Sequence, residues 1–327
     1  MVFLPNKINP QNLNIPCILG NVDLYSYFYG LVKQIPRGRV STYGALARAL
    51  GDIRAARACG VMLSQNPDAP RIPCHRVVMS DGSLGGFTHP EGVKKKIERL
   101  RQEGVEIRNG KIVNFQKILF EDFRTDYPLR RLREEQERMR EKIVLEDLEI
   151  PDLVAGVDVS YKGRNAYASL VIMTMDGRVR EIITKKRSVD FPYIPTYLAF
   201  REAPIIAELL KEVKEPVLLM VDGNGILHPR RFGLASHVGV ENSMPTIGVA
   251  KSLLTGEIRG NKVFLGNEQL GWFLISGRKR GIYVSPGHGI SLNTSLELVK
   301  KFLHYRVPEP LRVSHLEANK LRLLDKF

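Results

Sequence analysis

The chain has few cysteines and no pair of them at metal-binding spacing. Cys17, Cys59 and Cys74 are odd in number and form no Cys-x-x-Cys. That argues against a disulfide framework and against a structural zinc site, and it points to a reducing compartment. No stretch approaches the roughly 18 apolar residues that span a bilayer. Residues 1–16 also lack a basic segment followed by an apolar one, so neither a membrane span nor a secretory leader is expected and a cytoplasmic location is. Acidic residues are short as well: 35 Asp and Glu stand against 49 Lys and Arg, a formal net charge of +14. Such a surplus favours a polyanionic partner through release of phosphate counterions, although charge alone leaves an inert basic surface open. No internal repeat or low-complexity run is present.

What is there divides in two. A length of 327 residues sits near the prior for two domains of roughly 150 residues each. The chain also carries two chemistries that cannot share one reaction centre. Pro73-Cys74-His75-Arg76 offers a soft sulfur nucleophile beside an imidazole, whereas Asp158, Glu202 and Asp222 offer hard oxygen ligands suited to magnesium.

In the first part, Asp23 to Gln34 reads as a helix with Leu24, Tyr27, Phe28, Leu31 and Val32 on one face, ended by Pro36. Ser41 or Thr42 can cap a second helix that Gly51 stops, and another runs from about Ile53 to Leu63. Two short helices joined by a tight turn suit a helix-turn-helix, a pattern also common in compact domains at large. Taken alone, Cys74 could be a buried structural thiol, His75 a satisfied core histidine, Arg57 a helix-surface charge and Tyr43 a core aromatic.

The run Gly38-Arg39-Val40-Ser41-Thr42-Tyr43, the Ala56-Arg57-Ala58 pattern and the core Pro73-Cys74-His75-Arg76-Val77 resemble the DNA-binding and active-site domain of O6-alkylguanine-DNA alkyltransferases, from about Leu24 to Lys111. Only about twenty residues precede the match, so the separate N-terminal domain that many members carry is expected to be absent. The resemblance implies a mainly α, winged-helix-like domain in which Cys74 accepts the alkyl group. It gives His75 the role of a base acting through water, oriented by Glu103. It also implies Tyr43 in the lesion pocket and at the turning phosphate, Arg57 in the space vacated by the flipped base, and Asn66 in a turn between helix and nucleophile. Arg76 and Thr88 fall among the DNA- and substrate-binding positions. After Gly85-Gly86-Phe87 the chain reads Thr88-His89-Pro90-Glu91-Gly92, where the family commonly has a glycine-rich run. The pocket lid, and with it the size of alkyl group accepted, is expected to differ.

Beyond Asn114 the composition turns to a charged stretch, Arg130 to Arg138, read as an exposed helix with a solvated face. Apolar runs then mark strands at Val154–Val159, Ala168–Met173 and Val179–Lys185, the last two separated by the turn signal Asp176-Gly177. A helix from about Tyr197 to Val213 carries Glu202, and a strand, Val217–Val221, delivers Asp222 into Gly223-Asn224-Gly225. Carboxylates at strand ends are costly to bury unless a cation or donors compensate them. Three that converge can hold one or two Mg²⁺ ions. By spacing alone, each acid could also be a capped turn or a surface ion pair.

The runs Val154-Ala155-Gly156-Val157-Asp158-Val159-Ser160, Phe191-Pro192-Tyr193-Ile194-Pro195, Phe200-Arg201-Glu202-Ala203-Pro204, His228-Pro229-Arg230, Gly248-Val249-Ala250-Lys251-Ser252 and Ser285-Pro286-Gly287-His288 resemble endonuclease V. The resemblance reaches the C-terminus. It implies an α/β RNase H-like domain with a mixed central sheet that nicks DNA at the second phosphodiester 3′ to deoxyinosine. Asp158, Glu202 and Asp222 would hold Mg²⁺, with Mn²⁺ as a substitute, Lys251 would meet the phosphate or attacking water, and His288 would support them. Tyr193 would fill the gap left by the base, Gly223 and Gly225 would let backbone approach its edge, and His228 would lie near its pocket. Tyr193 as a core aromatic, Lys251 as a surface charge and His228 as a loop histidine stay open as alternatives. Thr196 stands where a glycine is common.

These readings divide the chain into an extension, 1–20, an alkyltransferase domain, 21–116, and an endonuclease domain, 117–327. They lead to the expectation of a monomeric DNA-repair protein whose partners are DNA containing O6-alkylguanine or deoxyinosine. Two alternatives are a non-catalytic lesion-binding module fused to a nuclease, and a nuclease that prefers inosine in RNA.

Overall fold

The computed structural model describes residues 22–276 and 280–325; Cys17 and the 1–20 extension lie outside them. Two compact units emerge. One comprises 22–135 together with 190–195, the other 136–189 and 196 onward.

The first unit opens with α1 (Leu24–Lys33), capped by the Asp23 side chain on Ser26 N. A two-residue strand β1 (Ser41–Thr42) leads directly into α2 (Tyr43–Leu50). Thr42 is the cap, accepting from Ala45 N at 3.0 Å, and Gly51 ends the helix at φ +106°, a conformation only glycine takes without strain. A 3₁₀ turn at Ile53–Ala55 then feeds α3 (Ala56–Ser64). Leu24, Phe28, Leu31, Val32, Leu46, Leu50 and Met62 are fully buried, so the stripes of α1, α2 and α3 supply this unit's core. β2 (Val77–Val78) pairs in parallel with β1, Ser41 opposite Val77. The turn bearing Cys74 is thereby tied to the start of α2. α4 (Val93–Gln102) and the hairpin of β3 (Ile107–Arg108) and β4 (Lys111–Ile112) close a second cluster around Val40, Leu84 and Leu100.

This unit extends past the boundary expected near 117. After α5 (Phe115–Ile118), the chain bonds back onto it: Val40 N to Ile118 O, Phe120 N to Val40 O, and Thr125 Oγ1 to Ala49 O. The change of unit falls at 135/136, inside α6 (Pro128–Arg140). α6 is not a purely solvated helix. Leu129, Leu132, Gln136 and Met139, spaced three or four apart, are buried.

The second unit is built on a nine-stranded mixed sheet. β5 (Leu153–Lys162), β6 (Asn165–Thr174) and β7 (Val179–Ser188) form an antiparallel meander turned at Gly177. α7 (Leu198–Leu210) crosses to β8 (Leu218–Asp222), which lies parallel to β5, and α8 (Leu234–Asn242) leads to β9 (Thr246–Ala250), parallel to β8. β10 (Glu257–Arg259), β11 (Lys262–Leu265), β12 (Glu268–Ser276) and β13 (Arg280–His288) continue antiparallel, with β13 against β9. Alternate residues of the central strands pack against α7 and α8 on one face. On the other face they pack against α9 (Leu292–Phe302) and α10 (Glu309–Leu324). Among the described residues no helix is long and apolar enough to cross a membrane.

Candidate active sites

In the first unit Cys74 opens a 3₁₀ turn, Cys74–Arg76. It borders a cavity of about 260 Å³ that is also lined by Tyr43, Asn66, Phe87, Thr88, His89 and Arg99. Asn66 spans the helix end and the nucleophile turn, donating Nδ2 to Ile72 O at 2.9 Å and accepting from Asp68 N at 3.0 Å. Burial, and after it the neighbouring Cys74, raises the Tyr43 hydroxyl above its ordinary value. Arg57 is exposed on α3.

Behind Cys74, the buried His75 ring places Nε2 2.9 Å from Glu103 Oε1. Glu103 sits just past the end of α4 as its C-cap. Burial would raise its pKa, yet bonds from Arg76 and His75 outweigh that and bring it down to about 2. An ionised carboxylate only accepts, so Nε2 carries the proton and Nδ1 presents its lone pair. Nδ1 is itself buried and has no hydrogen-bond partner among the described residues. Burial lowers the His75 pKa against the opposing pull of Glu103. The ring is therefore held as a neutral base.

Arg76 is engaged within the fold: its side chain clamps Glu103, Nε at 2.9 Å and Nη2 at 2.8 Å, and gives Nη1 to Ile35 O at 2.7 Å. A buried carboxylate recruits a bidentate partner, and the adjacent guanidinium is that partner. Sequence reasoning also missed Lys96. It is fully buried, its Nζ 6.0 Å from the Phe87 ring that lines the cavity, donating to Val77 O at 2.6 Å and Leu84 O at 2.5 Å, and burial brings its pKa down to about 8. Its place in the run Lys94-Lys95-Lys96 had no feature separating it from a solvated face.

In the second unit the parallel register sets Val157 beside Val221, so Asp158, midway along β5, stands beside Asp222 at the end of β8. Burial first, and then the neighbouring charge of Asp222, push Asp158 up to about 6. Glu202, buried on α7, is pushed up to about 8 by burial and by both aspartates, against a 2.9 Å bond from the Tyr161 hydroxyl. Lys251 Nζ bonds Asp222 Oδ2.

Mutual repulsion among three acids marks a place short of positive charge. Among the described residues no preformed cage of three or more ligands exists. Mg²⁺ does not require one, because it retains several waters and takes one or two carboxylates. The donor set fits a hard divalent cation.

His315 is the second residue that sequence reasoning missed. Its Nδ1 lies 2.6 Å from Asp158 Oδ2, while Nε2 meets Asn319 Nδ2 at 2.9 Å. Gly156 makes this possible. A Cβ there would stand 2.3 Å from the Pro310 carbonyl carbon, so only glycine lets the start of α10 lie against β5 and bring His315 over Asp158.

Three other expected site residues are engaged within the fold. His288 is buried on β13, its Nδ1 accepts from Val144 N at 3.3 Å, and no contact among the described residues joins it to the acids. His228 is buried too, with Nδ1 accepting from Arg230 N and Nε2 against Thr196 O, each at 3.2 Å, so the ring is engaged within the fold. At Gly225 the fold packs too closely for a side chain: a Cβ would lie 2.0 Å from Pro286 O. At Gly223 a Cβ would meet Leu234 at 3.3 Å. Tyr193 is 60% exposed, in the segment 190–195 that groups with the first unit.

Comparison with known proteins bears on both sites. A family model for endonuclease V matches residues 137–316, and one for the 6-O-methylguanine DNA methyltransferase DNA-binding domain matches 23–105. A bifunctional methyltransferase/endonuclease of Picrophilus torridus is 46% identical over 92% of this chain and 98% of its own. Human endonuclease V is similar at 31% identity and TM-score 0.55, covering 60% of this chain and 99% of that one. Endonuclease V of Ciona intestinalis, solved with DNA containing an inosine followed by a ribo-adenosine, is similar at 28% identity and TM-score 0.56, covering 61% and 100%. With both matches present in one order along its length, the chain belongs to the family of bifunctional methyltransferase/endonucleases.

Proposed function

We propose that the protein repairs DNA at two independent sites: an alkyl acceptor in the first unit and an inosine-directed nicking site in the second. The observation that carries this reading is the pairing of a nucleophile backed by a held, neutral imidazole with a set of mutually repelling carboxylates in the other unit. The β3–β4 hairpin after the helices supports a winged-helix-like description. The strand order β7-β6-β5-β8-β9, with only β5, β8 and β9 parallel, supports an RNase H-like one.

At the first site O6-alkylguanine rotates into the cavity beside Tyr43 and Thr88. His75 Nδ1 takes the Cys74 proton through water, the sulfur attacks the alkyl carbon, and the carbon–O6 bond breaks as guanine regains a proton. The thioether has no route back, so each molecule acts once. Arg57 on α3 would occupy the place of the extruded base, and Arg76 holds Glu103.

At the second site Asp158, Glu202 and Asp222 would hold Mg²⁺, or Mn²⁺ in its place. When bound, the ion would polarise the phosphate and lower the pKa of water. His315 orients Asp158 and Tyr161 orients Glu202. Lys251 rests on Asp222 and is within reach of a phosphate oxygen entering there. Tyr193 fills the gap left by the base, and the cut leaves 3′-hydroxyl and 5′-phosphate ends at the second bond 3′ to deoxyinosine. We take the protein as a cytoplasmic monomer.

The test is a Cys74 peptide mass after incubation with O6-methylguanine DNA, alongside nicking of deoxyinosine duplexes. No added methyl group would favour a lesion-binding module. The ribo-adenosine in the Ciona substrate makes RNA the second reading, and matched inosine and deoxyinosine strands decide between them.

A further inference from the structure

Thr196 directly follows the Phe191–Pro195 segment and adopts φ +72°. That left-handed region is costly for a β-branched residue and free for glycine. The conformation is held by side chains from distant parts of the same unit. Arg230 Nη2 donates to Thr196 O and, at 2.9 Å, to Thr196 Oγ1. His228 Nε2 reaches the same carbonyl at 3.2 Å and Gln136 Nε2 reaches it at 3.5 Å. Gln136 in turn braces the guanidinium, its Oε1 accepting from Arg230 Nε at 2.8 Å, and the Tyr197 ring lies 4.6 Å beneath it. Gln136, Thr196, His228 and Arg230 are all buried. Burying a guanidinium and an amide to hold one peptide is expensive unless that peptide's conformation matters.

We infer that Arg230, with Gln136, is a positioning residue for base extraction. It latches the backbone at Thr196 and so fixes the base of the Pro192–Pro195 segment that carries exposed Tyr193. The inference rests on the endonuclease reading. His228 and Arg230 belong to the loop that leaves β8 after Asp222, so the latch ties Thr196 to the loop that follows a candidate ligand. A wedge held in advance loses less entropy when it enters the stack.

A wedge is needed only where a base must leave a duplex; a single strand has no stack to fill. The readout is therefore the ratio of nicking rates on duplex and single-stranded deoxyinosine oligonucleotides of the same sequence. A defect that is merely structural lowers both rates together. Arg230→Met is expected to lower the ratio about thirtyfold, the equivalent of one mid-range backbone strain. Adding Thr196→Gly should recover most of it, because glycine holds φ +72° without a latch. If Arg230→Met has no cooperative melt, Gln136→Met is read in its place, with a fall of about tenfold expected from loss of its bond to the Arg230 guanidinium. A folded variant with an unmoved ratio, or a double variant no better than the single one, overturns the inference alone. Failure of the unchanged protein to nick deoxyinosine in either form overturns the endonuclease reading and the latch with it.

Discussion

Replacing Glu103 with Gln changes almost nothing in shape and removes one charge. The carboxylate accepts from His75 Nε2 at 2.9 Å, from Arg76 Nη2 at 2.8 Å and from Arg76 Nε at 2.9 Å. Glutamine keeps one acceptor and turns an NH₂ group toward a guanidinium that also donates. Breaking a mostly buried pair in this way costs about 3 kcal/mol. For a unit of this size that lowers its Tm by about 10 °C. The chemical consequence is separate. An amide that can present either its oxygen or its NH₂ to the ring, and carries no charge, no longer holds the proton on Nε2 or stabilises the imidazolium that forms when Nδ1 takes a proton. Loss of a positioned general base costs about 10²- to 10⁴-fold. Single-turnover methyl transfer, followed as label on Cys74 at a temperature where the variant is folded, measures this. A rate within threefold of the unchanged protein would refute the assignment of base and orienting carboxylate.

Further outcomes follow from the same geometry. Cys74→Ala should abolish methyl transfer and spare nicking, and Asp222→Ala should do the reverse; loss of both from either change in a folded protein would contradict independent sites. His315→Ala, which leaves Asp158 without its 2.6 Å partner, should slow nicking about tenfold or more at limiting Mg²⁺ and less at saturation, as removal of an orienting partner does; equal loss at both concentrations would argue against an orienting role. Acid should weaken the first unit. Glu103 lies at about 2 against an ordinary 4.5, so its contribution is full above pH 4.5 and is lost as pH falls toward 2. His75 is depressed below 6.5, so burying it neutral is favourable above that pH and costs stability below it. Melts from pH 8 to 3 should show the first unit's Tm falling below about pH 6.5, and a flat profile would contradict both shifts.

Local signals made much of the fold readable. Thr42 as a cap and Gly51 as a stop bound α2, and the apolar runs before Asp158 and Asp222 become the parallel strands that set the two acids together. What escaped was decided by tertiary contacts. His315 lies 157 residues from Asp158 in a helix whose sequence marks it as nothing special, and the one trace of their meeting is Gly156. Lys96 could not be told from two neighbouring lysines, although only it reaches backbone carbonyls. Arg76 and His228 bond within the fold, which the sequence cannot show, because a polar motif residue looks the same whether its partner is DNA or the protein's own carboxylates and carbonyls. Thr196 is the opposite case. Its departure from glycine was visible in the sequence, but the positive φ and the residues that hold it were not.

The central claim is that one chain carries a single-use alkyl acceptor and a reusable, metal-dependent nicking site. A time course on one duplex bearing both O6-methylguanine and deoxyinosine, run with Mg²⁺ and with chelator, tests it most directly. Methyl transfer should stop at about one equivalent and proceed equally under both conditions, while nicking turns over with Mg²⁺ and is absent with chelator. Nicking that survives chelation, or methyl transfer that needs the metal, would contradict the account.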